Sequence, residues 1–278
     1  MHLKLNNPAG PKQADYLNFP ATCNTGRPGM LIILLDQSES MGQKTWGKQG
    51  KTRIEAAAEQ VNTLINAILH DTQNGDLYRE RIWIAVFQYS SSATGPDVRK
   101  ICDGWPKAFS NRTEWIDTKA AGGTPMVTAF EEAREYIQKR FSNPSFRNRF
   151  AFSPPPVVLN ITDGEAGDGF KEVYFEHLMK EVLRIRQIET PQGFGPIVFH
   201  VHITDAVNRS NFLPASREGL DSFGRKLFQM ADQIPDAWVD QIPPAYRPEK
   251  GAVGLVTNGN PEDLGRFLFL SSNTNPVK

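Results

Sequence analysis

The stretch Met30-Leu31-Ile32-Ile33-Leu34-Leu35-Asp36-Gln37-Ser38-Glu39-Ser40-Met41-Gly42 joins an unbroken apolar run to a carboxylate and two alternating hydroxyls. An apolar run of this length without polar alternation reads as a strand covered on both faces, the pattern of a parallel sheet. At its end Asp36, Ser38 and Ser40 deliver hard oxygen atoms to one point. Such ligands suit a small divalent cation such as Mg²⁺.

Working outward, the chain alternates strand and helix. Arg53 to about Leu69 carries Ile54, Ala57, Ala58, Val61, Leu64, Ile65 and Ile68 at a 3.6-residue period, and Thr52 with Glu55 makes a capping box at its start. Arg81-Ile82-Trp83-Ile84-Ala85-Val86-Phe87 predicts a second strand, with 93–101 pairing beside it as an edge. A helix is expected after Thr124, with Pro125 at its first position and Val127, Phe130, Ala133, Ile137 and Phe141 facing inward. Strands follow at 157–161, 197–203 and 252–256, and helices at 170–188, around 217–231 and from Pro261. This alternation predicts an α/β fold, doubly wound, with a mostly parallel central sheet flanked by helices and one antiparallel edge strand. Ligands of such sheets sit beyond the carboxyl ends of the strands, where both Asp36 and Asp163 fall. Residues 1–28, rich in Asn, Pro and Gly, read as an N-terminal arm, and 29–278 as one domain with a C-terminal strand–helix extension.

The bulk numbers narrow the function classes. At 278 residues the chain can bury about three quarters of its unfolded surface. Lys plus Arg equal Asp plus Glu at 31 each, so no net field favours nucleic acid or an acidic membrane. The two cysteines, Cys23 and Cys102, cannot build a disulfide framework and read as inert. No signal peptide and no membrane-spanning run are expected, and the location read from this is the cytoplasm.

Two further segments, Gly122-Gly123-Thr124-Pro125 and Ile161-Thr162-Asp163-Gly164-Glu165, stand in order after the first. Together the three resemble the metal-ion-dependent adhesion site (MIDAS) of von Willebrand factor A (vWA) domains, a likeness that extends roughly from Met30 to Leu270. The resemblance implies that Ser38 and Ser40 bind the cation directly and that Thr124 adds a third hydroxyl, directly or through water. It further implies that Asp36 and Asp163 act mainly through waters and orient the hydroxyls. All five positions of the pattern are intact. The cation implied is Mg²⁺, or Mn²⁺, and it is left under-neutralised, so an Asp or Glu of a partner protein can fill the vacant position.

Each segment also has a plainer reading. Asp36 and Ser38 can cap a helix or close a turn, Thr124 before Pro125 is a good N-cap, and Asp163-Gly164 is a common turn. Glu165 and Asp168 read as solvated loop carboxylates or as acidic groups that tune the site. His200 and His202 share one face of a strand, as core histidines or, less simply, as ligands of a second ion. Trp46, in the polar insertion Gln43 to Gly50, is placed to touch a partner. The segment Arg140 to Pro156 interleaves Arg140, Arg147 and Arg149 with Phe146, Phe150 and Phe152. That pattern stacks bases in some proteins but here reads first as a surface loop or protein contact.

The function expected is metal-dependent protein binding without catalysis. Phe228 to Ala231 and Gly251 to Asn258 resemble small intracellular bacterial vWA proteins of the tellurite-resistance type. That likeness implies an adaptor for a protein kinase and a PP2C-type phosphatase in a stress or defence system. Two alternatives stand beside it: a vWA subunit partnering an AAA+ ATPase, and a metal-assisted hydrolase. Against the last, the chain has no GxxxxGK[ST] loop, no GxGxxG fingerprint and no evident Ser-His-Asp or Cys-His set.

Overall fold

The computed structural model describes residues 23–44, 50–164, 172–203, 210–240, 242, 244, 247–257, 259 and 261–272. The chain runs β1 (Gly29–Asp36), a 3-10 turn (Glu39–Gly42), α1 (Arg53–Thr72), the short strands β2 (Gln73–Asn74) and β3 (Leu77–Tyr78), β4 (Ile82–Ser92) and β5 (Gly95–Gly104). After a second 3-10 turn (Pro106–Phe109) come α2 (Met126–Phe141), α3 (Pro144–Arg149), β6 (Val157–Thr162), α4 (Glu172–Arg186) and β7 (Ile197–His202). The last part holds β8 (Asn211–Phe212), α5 (Ser222–Met230), α6 (Asp236–Val239), β9 (Leu255–Thr257) and α7 (Pro261–Ser272).

Seven strands form one sheet in the order β5-β4-β1-β6-β7-β9-β8. The five inner strands are parallel, while β5 pairs antiparallel with β4 and β8 antiparallel with β9. The expected edge strand is therefore present, at 95–104, and a second antiparallel edge closes the opposite side. That second edge is only two residues long, too short for a sequence period to announce.

The apolar run of β1 splits by the two-residue strand period. Leu31, Ile33 and Leu35 face a cluster with Ile54, Val61, Leu64 and Ile65 of α1 and Leu264, Phe267 and Leu268 of α7. Met30, Ile32 and Leu34 face Phe130, Ala133 and Ile137 of α2, Leu178 and Val182 of α4, and Leu227 of α5. Leu31 to Leu35 are all 0 % exposed, each side chain contributing about 1.5–3 kcal/mol of burial. Two polar side chains buried on the inner strands pair with each other: Tyr89 Oη donates to Asn160 Oδ1 at 2.8 Å.

Local signals held at α1, where Thr52 Oγ1 accepts from Glu55 N at 3.2 Å and Glu55 Oε2 accepts from Thr52 N at 2.7 Å. At α2 the start shifts by one residue: Pro125 is the N-cap, and Met126, Ala129 and Tyr136 join the inward face while Val127 is half-buried. The Arg140–Pro156 connection is not one loop. Asn143 Oδ1 accepts from Phe146 N at 3.0 Å and caps the short helix α3. Phe150 is buried, so among the aromatics of this segment Phe152 alone stands largely exposed.

Candidate metal centre

Strands β1 and β6 are neighbours whose carboxyl ends meet where the chain order reverses, with β4 on one side of β1 and β6 on the other. A crevice at such a point is where open α/β sheets hold ligands. Asp36 ends β1, fully buried, and both of its oxygens are engaged. Oδ1 accepts from Ser38 N at 2.8 Å, and Oδ2 accepts from Thr162 Oγ1 at 2.6 Å. The first bond curls the chain so that the Ser38 and Ser40 hydroxyls converge, 3.2 Å apart. Ser40 Oγ donates in turn to Asp163 Oδ1 at 2.8 Å. Four of the five expected residues are thus joined by direct hydrogen bonds or through adjacent backbone.

The fifth, Thr124, sits on a loop stitched to the same turn. Ala121 N donates to Gln37 O at 2.9 Å, and Glu39 N to Gly122 O at 2.8 Å. Gly123 N donates to Ser91 Oγ at 2.6 Å. Gly122 has φ +71°, and a Cβ there would lie 1.7 Å from Ser91 O, so the approach of this loop requires glycine. Thr124 is buried and its hydroxyl has no hydrogen-bond partner among the described residues. Leaving a buried hydroxyl unsatisfied costs about 1–3 kcal/mol, which asks for a ligand that this atom could serve.

Two residues outside the expected set complete the arrangement. Thr162 anchors Asp36, as above, and its Oγ1 also accepts from Gly164 N at 3.0 Å. Arg53, the first residue of α1, reaches Asp163 Oδ2 with Nη1 at 2.7 Å, both side chains fully buried. A cation at a helix N-terminus opposes the helix dipole, so a buried Arg immediately after a capping Thr is itself a sign of a carboxylate nearby. His202 Nε2 donates to the Asp163 carbonyl at 3.1 Å, and His200 packs against the Phe130 ring with centroids 6.0 Å apart. Burial drives the His200 pKa down to about 3, so it stays neutral. Among the described residues no three His, Cys, Asp or Glu side chains group as metal ligands. Trp46, Glu165 and Asp168 lie outside the described residues.

The donor set fits a hard cation. Neighbouring ligands around Mg²⁺ at about 2.1 Å lie about 3 Å apart, close to the 3.2 Å between the Ser38 and Ser40 oxygens. Electrostatics point the same way. Burial raises the Asp36 pKa to about 7, with the Asp163 charge adding to the rise and the Thr162 and Ser38 hydrogen bonds opposing it. An ionised Asp36 therefore favours an added positive charge nearby. Elsewhere, burial pushes the Cys102 thiol up to about 12, which fits an inert cysteine. Among the described residues no helix is long and apolar enough to cross a membrane.

Comparison with known proteins follows the geometry. Residues 31–165 match the von Willebrand factor type A domain family. No curated protein is similar enough to this chain to count as a relative. Among solved structures, the pilus adhesin SpaC from Lactobacillus rhamnosus GG is similar at 11% identity and a TM-score of 0.53, over 90% of this chain and 31% of that one. The SpRpn10 VWA domain is similar at 13% identity and a TM-score of 0.49, over 90% of this chain and 99% of that one. The type V pili tip protein Mfa5 from Porphyromonas gingivalis is similar at 17% identity and a TM-score of 0.35, over 50% of this chain and 20% of its three-domain structure. This chain thus spans about a fifth of the Mfa5 structure and a third of SpaC. At these identities the likeness is one of fold alone. The match of 31–165 takes in Asp36, Ser38, Ser40, Thr124 and Asp163, so all five residues fall in the part of the chain that matches the von Willebrand factor type A domain family.

Proposed function

We propose that the chain is a metal-dependent protein-binding module that recognises an acidic group of a partner. The observation that carries this reading is the buried, partnerless Thr124 hydroxyl on a loop bonded through Gly122 O to the turn that holds the converging Ser38 and Ser40 hydroxyls. Ser38, Ser40 and Thr124 would hold Mg²⁺ or Mn²⁺, with Asp36 and Asp163 behind them. When bound, the cation supplies an open position for an anionic oxygen from outside. Asp36 fixes the serine turn through Ser38 N, and Thr162 fixes Asp36. Arg53 takes one oxygen of Asp163, which lowers the negative charge left to balance the cation and strengthens its demand for a partner carboxylate.

A binding role suits the side chains better than catalysis. His202, beside Asp163, is buried with Nε2 committed to a carbonyl and its pKa lowered chiefly by burial, which is not the setting of an exposed general base. For partners we put forward a protein kinase and a PP2C-type phosphatase of a bacterial stress or defence system, on the likeness of the 228–231 and 251–258 segments. An AAA+ ATPase is the competing partner, and the cytoplasm is the compartment that goes with either.

The test is calorimetric titration of Mg²⁺ and Mn²⁺ into the chain, followed by capture from a native lysate in Mg²⁺ or EDTA. Wild type is expected to bind one cation, and Asp36→Ala or Ser38→Ala to lose both cation and partner while keeping a native circular dichroism spectrum. A wild-type chain that binds neither metal at millimolar concentration would overturn the reading. The identity of the captured protein decides between kinase, phosphatase and ATPase.

A further inference from the structure

A second surface lies at the other end of the sheet. Trp83 of β4 pairs in register with Met30 near the start of β1, whereas Asp36 pairs with Tyr89, so Trp83 marks the amino ends of the strands. Beside it is a concave pocket of about 610 Å³ walled by Trp105, Tyr136 and Phe146. The walls are locked by rings. Trp105 stacks on Phe150 with centroids 5.8 Å apart, and Trp83 meets Trp105 and Phe146 edge-on at 5.2 and 5.1 Å. A pocket of this volume with fixed aromatic walls is preformed for an apolar group.

Its charges are unbalanced. Lys100, Lys139, Arg140 and Arg149 line the pocket, against Glu80 in the lining and Asp103 just behind. Asp103 is shared: Lys100 Nζ lies 3.0 Å from its Oδ1, Tyr136 Oη donates to Oδ2 at 2.9 Å, and Arg140 also pairs with Oδ2. Arg149 has a 3.5 Å contact with Glu80, both half-exposed, and exposed Lys139 has no ion-pair partner among the described residues. Four cations facing two carboxylates leave an excess of positive charge on a chain whose formal net charge is zero.

Leu77 and Phe152 are two of the three large hydrophobic side chains exposed among the described residues, at 72% and 75% exposure. Each stands three residues along the chain from the Glu80–Arg149 contact. A small anion would leave most of the 610 Å³ pocket empty and both side chains uncovered, whereas a polypeptide can cover all three features. We infer that this end of the sheet docks an acidic segment of a partner protein, in which Asp or Glu residues flank an apolar or aromatic side chain. The ring enters against Trp105 and Phe146, the carboxylates pair with Lys139 and Arg149, and Leu77 and Phe152 pack on the flanks. Docking here is independent of the Asp36 centre, so the chain can engage partners at both ends of one sheet.

The test uses nuclear magnetic resonance on the full chain in EDTA, which removes any contribution of the metal centre. The probe is a short synthetic peptide with Asp and Glu flanking one central Phe. The expected result is a shift of the Trp105 indole N–H, identified from a Trp105→Phe spectrum, with affinity at least tenfold weaker in Lys139→Glu/Arg149→Glu and weakened by salt. Phe152→Ser is expected to weaken binding without changing the fold. Equal shifts with a peptide carrying Asn and Gln for Asp and Glu would overturn the inference, as would no shift at Trp105. Tighter binding of an oligothymidylate to the same residues would also overturn it and make the surface one for nucleic acid.

Discussion

Arg53 and Asp163, 110 residues apart in the chain, form an ion pair at 2.7 Å in which neither side chain is exposed. The other Asp163 oxygen takes the Ser40 hydroxyl at 2.8 Å. The carboxylate is thus divided between a guanidinium on α1 and the serine turn after β1, and the start of the helix is tied to the candidate centre. Breaking a buried pair from one side strands a charge, at about 3–5 kcal/mol. Arg53→Met is expected to lose that much in urea denaturation, and Arg53→Met/Asp163→Asn less than the sum of the two single changes. A coupling below about 0.5 kcal/mol in the double-mutant cycle would show that the pair does not act as a unit.

Asp36 makes the stability depend on pH. Its folded pKa of about 7 lies above the ordinary 3.8, so between these values the folded chain binds more protons than the unfolded one. Its contribution is therefore fully present below about pH 4, declines as pH rises and levels off above about pH 7, a loss of about 4 kcal/mol without a cation. Melting temperatures followed from acid to neutral pH should fall in wild type by more than in Asp36→Asn. Added Mg²⁺ should raise the neutral-pH values most, with apparent affinity rising about tenfold per pH unit until pH 7.

Thr124 separates a ligand from a cap. Replacing the partnerless hydroxyl by a methyl, Thr124→Val, removes an unsatisfied buried group, so metal-free stability should hold or rise by about 1 kcal/mol. The same change should abolish the Mg²⁺-induced rise in melting temperature. A metal-free loss of 1 kcal/mol or more, with the Mg²⁺ response intact, would assign Thr124 to helix capping instead.

Gly122→Ala tests how the Thr124 loop is seated. A Cβ 1.7 Å from Ser91 O cannot be accommodated by a side-chain shift, because the atom it meets is backbone. The loop must move away from β4, and the expected loss is about 2–3 kcal/mol together with the Mg²⁺ response. Gly75→Ala shares a positive φ but has no atom within 4 Å of the added carbon, and should cost about 1 kcal/mol with the response unchanged.

The inner strands and α1 were legible because their cues are local: an apolar run, a 3.6-residue period, a capping box. The residues gathered at the strand ends were legible through three separated motifs in the right order. What was missed is what local pattern does not encode. Thr162 looks like any strand-end threonine until β6 pairs beside β1 and brings it 2.6 Å from Asp36. Arg53 reads as a surface residue until Asp163 arrives. The 140–156 stretch showed its aromatics but not their direction, because Phe150 turns inward only when Trp105 from the other side of α2 is there to stack on it.

Three side-chain bonds of the candidate centre join distant parts of the chain: Asp36 to Thr162, Ser40 to Asp163, Arg53 to Asp163. Contacts of such long sequence separation form late, since the loop between them must be closed before they gain anything. A chain whose first strand has not yet met β6 has the serines but no Asp163 beside them. The proposed recognition through this crevice would consequently be reserved for molecules whose sheet is already assembled, and an incomplete or misregistered chain would present no such crevice to a partner.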